Sequence, residues 1–310
     1  MTRRARLFTL LIAVGSCGVV TWTCAHRPSS AKGHLEGRLE HGGRTRTFIS
    51  WSPEGPGPYP LVVALHGRLG TGAQMLKLSG LTALAEQERF IVVYPDGIDR
   101  SWADGRNTSP ASKQGVDDVA FLRALIDEFV TKRSADPSRV YVLGMSNGGF
   151  MALTLACQAA DQVTAVGSVT GFMGAEFAKS CSPTRAIPVA IVAGDSDPIV
   201  PFGGGEVKGG RGEIIGADDT FALWRRLDGC EGAPTITALP DADPNDDTRV
   251  ERREVSGCRE GSRVRLDVVK GGGHTWPRGD RYLPEGVIGK TSRDLDASAE
   301  LWRFFAPHHK

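Results

Sequence analysis

The chain has 310 residues, 40% of them apolar and 24% charged, with 37 Lys+Arg against 36 Asp+Glu and a formal charge of +1. This length and apolar share suit one large α/β domain or two ordinary ones and exclude a disordered or fibrous chain. The charge balance leaves no basic field to hold a nucleic-acid backbone, and glycine at 39 of 310, above the usual ~7%, points to many tight turns rather than a helical bundle.

At the N-terminus, Arg3, Arg4 and Arg6 precede an apolar run over residues 7–14, the basic head and short apolar body of an export signal. The run is shorter than the ~20 residues of a membrane-spanning helix. Val14-Gly15-Ser16-Cys17 has the form of a bacterial lipobox, which would end the signal at residue 17 and attach the protein to a membrane through a lipidated Cys17. Ordinary cleavage nearer Ala25, followed by release, is the alternative. Residues 18–33, with Pro28-Ser29-Ser30, read as a tether.

Residues 34–310 read as one domain in which strands alternate with helices. Residues 34–40 and 46–51 alternate around His41-Gly42-Gly43 and predict an opening hairpin. Leu61-Val62-Val63-Ala64-Leu65 is an unbroken apolar run, the mark of a strand buried on both faces. Further strands are predicted over residues 90–94, 140–143, 163–169, 187–193 and 264–269. Leu122, Leu125, Ile126, Phe129 and Val130 form one apolar stripe of a helix, with Asp117 and Asp118 at its start, where the macrodipole favours negative charge. Later helices are predicted over residues 221–227 and 298–305. The alternation predicts an α/β fold, a mostly parallel central sheet with helices on both faces.

The chemistry gathers at three strand ends. Gly144-Met145-Ser146-Asn147-Gly148-Gly149 lies between a strand and a helix, the context in which G-x-S-x-G forms a sharp turn that lifts a serine hydroxyl above the sheet. A helix starting there also aims free backbone N–H groups at the reacting centre. A serine hydroxyl needs a base, and of seven histidines only His66 and His274 stand at predicted strand ends. His274, in Gly271-Gly272-Gly273-His274-Thr275-Trp276-Pro277, is the candidate base; His66 reads mainly as a holder of its own loop and, with Trp102 and Trp276, as a candidate substrate contact. An orienting carboxylate is expected between serine and histidine in the chain. Gly194-Asp195-Ser196-Asp197-Pro198 offers two, with Asp197 preferred because Pro198 keeps it extended. Trp102 and Trp276 could stack on an aromatic or sugar group of a substrate, or pack the loops.

Cys157, Cys181, Cys230 and Cys258 are an even set in an exported chain, so disulfides are expected, with nearest neighbours in sequence paired. Their spacing lacks the short pairs of a zinc site. The glycine-rich residues 203–212 lack the Lys-Ser/Thr ending of a phosphate loop and read as a rim loop. Asp241, Asp243, Asp246 and Asp247 lack EF-hand spacing. No metal or other cofactor is expected.

Together Leu65-His66-Gly67, Trp102 with Asp104-Gly105-Arg106, Val116-Asp117-Asp118-Val119, the Ser146 motif, Asp197-Pro198-Ile199-Val200-Pro201 and Gly272-Gly273-His274-Thr275-Trp276-Pro277 resemble the secreted polyhydroxybutyrate depolymerase-like esterases, an α/β-hydrolase group that includes feruloyl and acetylxylan esterases. The resemblance covers nearly all of residues 34–310. It implies a Ser146, Asp197, His274 triad, oxyanion donors from the backbone of Asn147 and Arg68, and the two disulfides. Two positions depart from the pattern: Arg68 stands where Cys is frequent and adds a charge to the pocket wall, and Ala103 stands where Asn is frequent. The expected function is an exported serine esterase acting on a small ester, an oligoester or an acylated polysaccharide. With no polymer-binding module read after residue 310, soluble substrates are expected over crystalline polyester. A serine peptidase of the same fold and a non-catalytic surface binding protein are the alternatives.

Overall fold

Alternate residues of an extended chain face opposite sides, and in the central strands both sides are apolar. In the computed structural model, which describes residues 33–310, this produces a sheet sandwiched between two helical layers. The signal, the lipobox at Cys17 and the tether up to residue 32 lie outside the described residues. The strands are β1 (His34–His41), β2 (Arg44–Trp51), β3 (Tyr59–Leu65), β4 (Ile91–Pro95), β5 (Ala135–Met145), β6 (Ala165–Val169), β7 (Val189–Gly194), β8 (Gly204–Glu206), β9 (Glu213–Ile215), β10 (Thr235–Ala238), β11 (Arg249–Val255) and β12 (Val264–Lys270). The helices are α1 (Gly72–Ser79), α2 (Leu81–Glu88), α3 (Pro110–Lys113), α4 (Asp118–Lys132), α5 (Asn147–Gln158), α6 (Ala175–Ser180), α7 (Ala217–Leu227), α8 (Glu285–Ile288) and α9 (Ala297–Phe305).

Ten strands form one sheet in the order β1-β2-β4-β3-β5-β6-β7-β12-β11-β10. From β4 through β12 the neighbours run parallel, and antiparallel pairs extend both edges. Leu61, Val63 and Leu65 of β3 join one core with Phe121, Leu125 and Phe129 of α4 and Trp224 of α7. Val62 and Ala64 join the other, with Met75, Leu81, Ala85, Leu301 and Phe304 from α1, α2 and α9. Parallel strands place their C-terminal ends together, the edge on which open α/β sheets build their sites.

Several elements stand outside the sequence expectation. Residues 72–88 form two eight-residue helices joined at Gly80, which takes the left-handed conformation at φ 62°. The glycine-rich rim is a small hairpin, β8 with β9. The strand β11, Arg249-Val250-Glu251-Arg252-Arg253-Glu254-Val255, carries little apolar alternation because ion pairs satisfy its polar face: Arg252 stands opposite Asp267 of β12 at 2.7 Å and reaches Glu300 of α9 at 2.8 Å. Asp118 does more than complement a helix dipole. Its buried carboxylate accepts from Arg46 of β2 at 2.7 Å and from the Ala103 backbone at 2.7 Å, while Asp117 caps α4 through the Ala120 N–H. Disulfides join Cys157 to Cys181 and Cys230 to Cys258, the pairing of sequence neighbours.

Candidate active site

Ser146 is the single residue between β5 and α5, at φ 53° and ψ −119°. That backbone region is unfavourable for a residue with a side chain and persists only where its surroundings enforce it. The enforcement comes from two glycines. A Cβ on Gly144 would lie 2.3 Å from the Gly148 carbonyl oxygen, and one on Gly148 would lie 2.3 Å from that of Leu65, so only bare backbone closes the turn. The Ser146 N–H donates to the Val169 carbonyl at 2.8 Å, and its own carbonyl accepts from Phe150 at 2.9 Å. The serine is thus fixed at the C-terminal edge of the sheet, beside Gly67 in the loop after β3.

Asp197 and His274 leave the ends of β7 and β12, which are adjacent parallel strands. Asp197 Oδ2 lies 2.7 Å from His274 Nδ1, while its Oδ1 accepts from the backbone N–H groups of Ile199 and Val200 at 2.7 and 2.9 Å. A carboxylate held on both oxygens fixes the imidazole with its proton on Nδ1 and leaves Nε2 as the basic nitrogen. The ring is buried, its backbone N–H donating to Ile288 and its carbonyl accepting from the Tyr282 hydroxyl at 2.7 Å. Asp195 is turned elsewhere, accepting from the Gly271 N–H at 2.7 Å. Among the described residues the Ser146 hydroxyl makes no hydrogen bond, to His274 or any other group; such contacts are often long before substrate binds.

The backbone N–H groups of Arg68 and Asn147 likewise donate to no described group. The Asn147 side chain is engaged: its Oδ1 accepts from the Trp102 N–H at 2.8 Å, and its Nδ2 donates to the Trp102 carbonyl at 3.0 Å and to Asp104 at 2.6 Å. Asp104 in turn holds Arg106, whose guanidinium lies 3.7 Å from the centre of the Phe150 ring. His66, 2% exposed, has both ring nitrogens taken, Nδ1 with the Gly67 carbonyl at 2.8 Å and Nε2 accepting from Gly97 at 2.9 Å. Burial lowers its pKa from the ordinary 6.5, against the smaller opposing effect of the Gly67 hydrogen bond. Trp102, 0% exposed, donates from its indole to the His66 carbonyl; Trp276, 1% exposed, donates to Ser298 at 3.1 Å. His66 and Trp102 therefore face protein, and Trp276, though buried, borders a pocket between α2 and α9. Sequence reasoning missed Tyr282 and the clamp of Asn147 on Asp104, contacts between distant loops that no local pattern signals.

Comparison with known proteins agrees with this architecture. The family model described as Esterase PHB depolymerase matches residues 54–204. "Putative esterase NocK" of Nocardia uniformis subsp. tsuyamanensis is 33% identical over 269 residues, 83% of this chain and 78% of that protein. Feruloyl esterase B of Piromyces equi is 29% identical over 69% of this chain, which spans only 39% of that protein. Poly(3-hydroxyalkanoate) depolymerase C of Paucimonas lemoignei is 26% identical over 72% of this chain and 51% of its own length. Among solved structures, an acetyl xylan esterase from Aspergillus awamori superposes with a TM-score of 0.59 at 16% identity, covering 88% of this chain and 99% of that one. The fold is that of the α/β-hydrolases.

Proposed function

This chain belongs to the PHB depolymerase esterases, carboxylic ester hydrolases, and from that premise we propose that it is an exported serine esterase working through Ser146, His274 and Asp197. The observation that carries the proposal is the 2.7 Å contact between His274 Nδ1 and Asp197 at the sheet edge where Ser146 is held in its strained turn. Ser146 Oγ attacks the ester carbonyl as His274 Nε2 takes its proton, and Asp197 orients the ring and stabilises the imidazolium. The N–H groups of Asn147 and Arg68 hold the oxyanion, and Asn147 keeps its position because its side chain is locked to Trp102 and Asp104. His274 then protonates the leaving alcohol, and water repeats the attack on the acyl-enzyme. His66, Trp102 and Trp276 act by holding these loops.

The substrates this reading supports are hydroxyalkanoate oligoesters and feruloyl or acetyl esters on polysaccharide. Two disulfides suit an oxidising compartment outside the cytoplasm. Labelling cells with a radioactive fatty acid separates anchoring through Cys17, where label follows the protein, from cleavage nearer Ala25, where none does. A fluorophosphonate probe tests the chemistry: the expected result is labelling at Ser146 that Ser146→Ala abolishes together with turnover, and a folded wild-type protein that stays unlabelled would end the reading.

A further inference from the structure

Around the serine the carboxylates are already engaged, yet two guanidinium groups are not. Asp197 is held by His274 and two N–H groups, and Asp104 by Arg106 and Asn147. Arg68 follows Gly67, whose Cβ position lies 3.5 Å from Ser146 Cβ, and its side chain makes no ion pair or hydrogen bond with any described group. Arg211 stands on the loop between β8 and β9. That loop is fastened to both neighbours of the site: Lys208 donates its N–H to Ile199, just past Asp197, at 3.0 Å, and the Arg211 carbonyl accepts from Arg106 Nη1 at 3.1 Å and Thr108 Oγ1 at 2.9 Å. The Arg211 guanidinium also has no ion pair among the described residues, the hairpin's own Glu206 and Glu213 included. Burial, then the positive charges of Arg68 and Arg106, hold its pKa below the usual guanidinium range, and no carboxylate opposes them.

Like charges gathered at a half-buried rim without an anion are unfavourable unless an anion arrives there, and guanidinium groups match carboxylate geometry in particular. We propose that Arg68 and Arg211 form an anion subsite beside Ser146, and that the ester this enzyme takes carries a free carboxylate close to the scissile bond. The inference rests on the serine esterase reading and narrows its substrate class. The carboxylate can belong to the alcohol part, as at the acid end of a hydroxyacid oligomer, or to the acyl part, as in the monoester of a diacid.

Two matched pairs test this by kcat/KM: β-acetoxybutyrate against its primary amide, with the charge on the alcohol side, and monomethyl succinate against methyl succinamate, with the charge on the acyl side. The wild-type enzyme is expected to favour the carboxylate member of one pair by about tenfold, as a charge-assisted contact allows, with the preference shrinking as salt is added. The pair that responds identifies the side. Arg211→Gln and Arg68→Gln are expected to bring the ratio towards one. A wild type that takes the amide members of both pairs as well as the acids overturns the subsite without recourse to variants, as does a preference that survives in both variants. Failure to hydrolyse all four esters, with no fluorophosphonate labelling, would overturn the esterase reading and the subsite with it.

Discussion

Two acidic side chains two residues apart take opposite assignments because of what their backbone turns make available. Asp197 is received by the N–H groups of Ile199 and Val200 with one oxygen still facing His274, whereas Asp195 ties down Gly271. On the proposed triad, Asp197→Asn should therefore lower kcat by roughly 10³–10⁴-fold, the scale at which losing an orienting carboxylate leaves a histidine in the wrong tautomer. Asp195→Asn keeps an acceptor for Gly271 and should cost less than about tenfold; steady-state kinetics of the two variants decide. His66 carries a separate prediction. Its folded pKa lies below 6.5, so the unfolded chain binds the proton more readily and stability is lost as pH falls through 6.5. His308, lowered to about 4 mainly by burial, acts in the same direction, and Asp228, raised to about 6 by burial, acts in the opposite one. The comparison must therefore be between slopes: Tm followed from pH 7.5 to 5.5 should fall less in His66→Gln than in the wild type.

Among the elements, those with a local signature were legible in the sequence and those stabilised across distance were not. The unbroken apolar run of β3 and the stripe of α4 announce burial on two faces and on one face, and both elements occur where those patterns stand. Nothing in the charged run of β11 announces a strand, because its partners Asp267 and Glu300 lie 15 and 48 residues away. The same limit applies to the site: the Ser146 turn is written in adjacent glycines, while the Tyr282 contact with His274 depends on the course of a whole loop. The helix that follows Ser146 is pinned at its far end by the Cys157–Cys181 bridge. Replacing both cysteines by alanine should cost about 3 kcal/mol for a loop of this size, a fall in Tm on the order of 5–10 °C, measurable by calorimetry. Activity at 25 °C should persist, since the turn at the helix start is held by β5, β6 and the glycines.

At the scale of the molecule, the α/β architecture followed from alternation alone, but the sheet order did not. A sequence pattern shows which runs are strands; it cannot show that β4 inserts between β2 and β3, or that β12 returns to lie against β7. That return governs what the molecule can become. Asp197 and His274 are separated by 77 positions along the chain, yet they follow neighbouring strands: after β7 the chain passes through β8, β9 and α7, rejoins the sheet at its far edge as β10, and returns through β11 to β12 beside its point of departure. Of this excursion only the β8–β9 hairpin and α7 stand outside the ten-stranded sheet, so a change in their length leaves the pairing of β7 with β12, from which Asp197 and His274 follow, in place. Remodelling in a descendant or a design would be absorbed there first, giving new tastes in substrate to an unchanged engine.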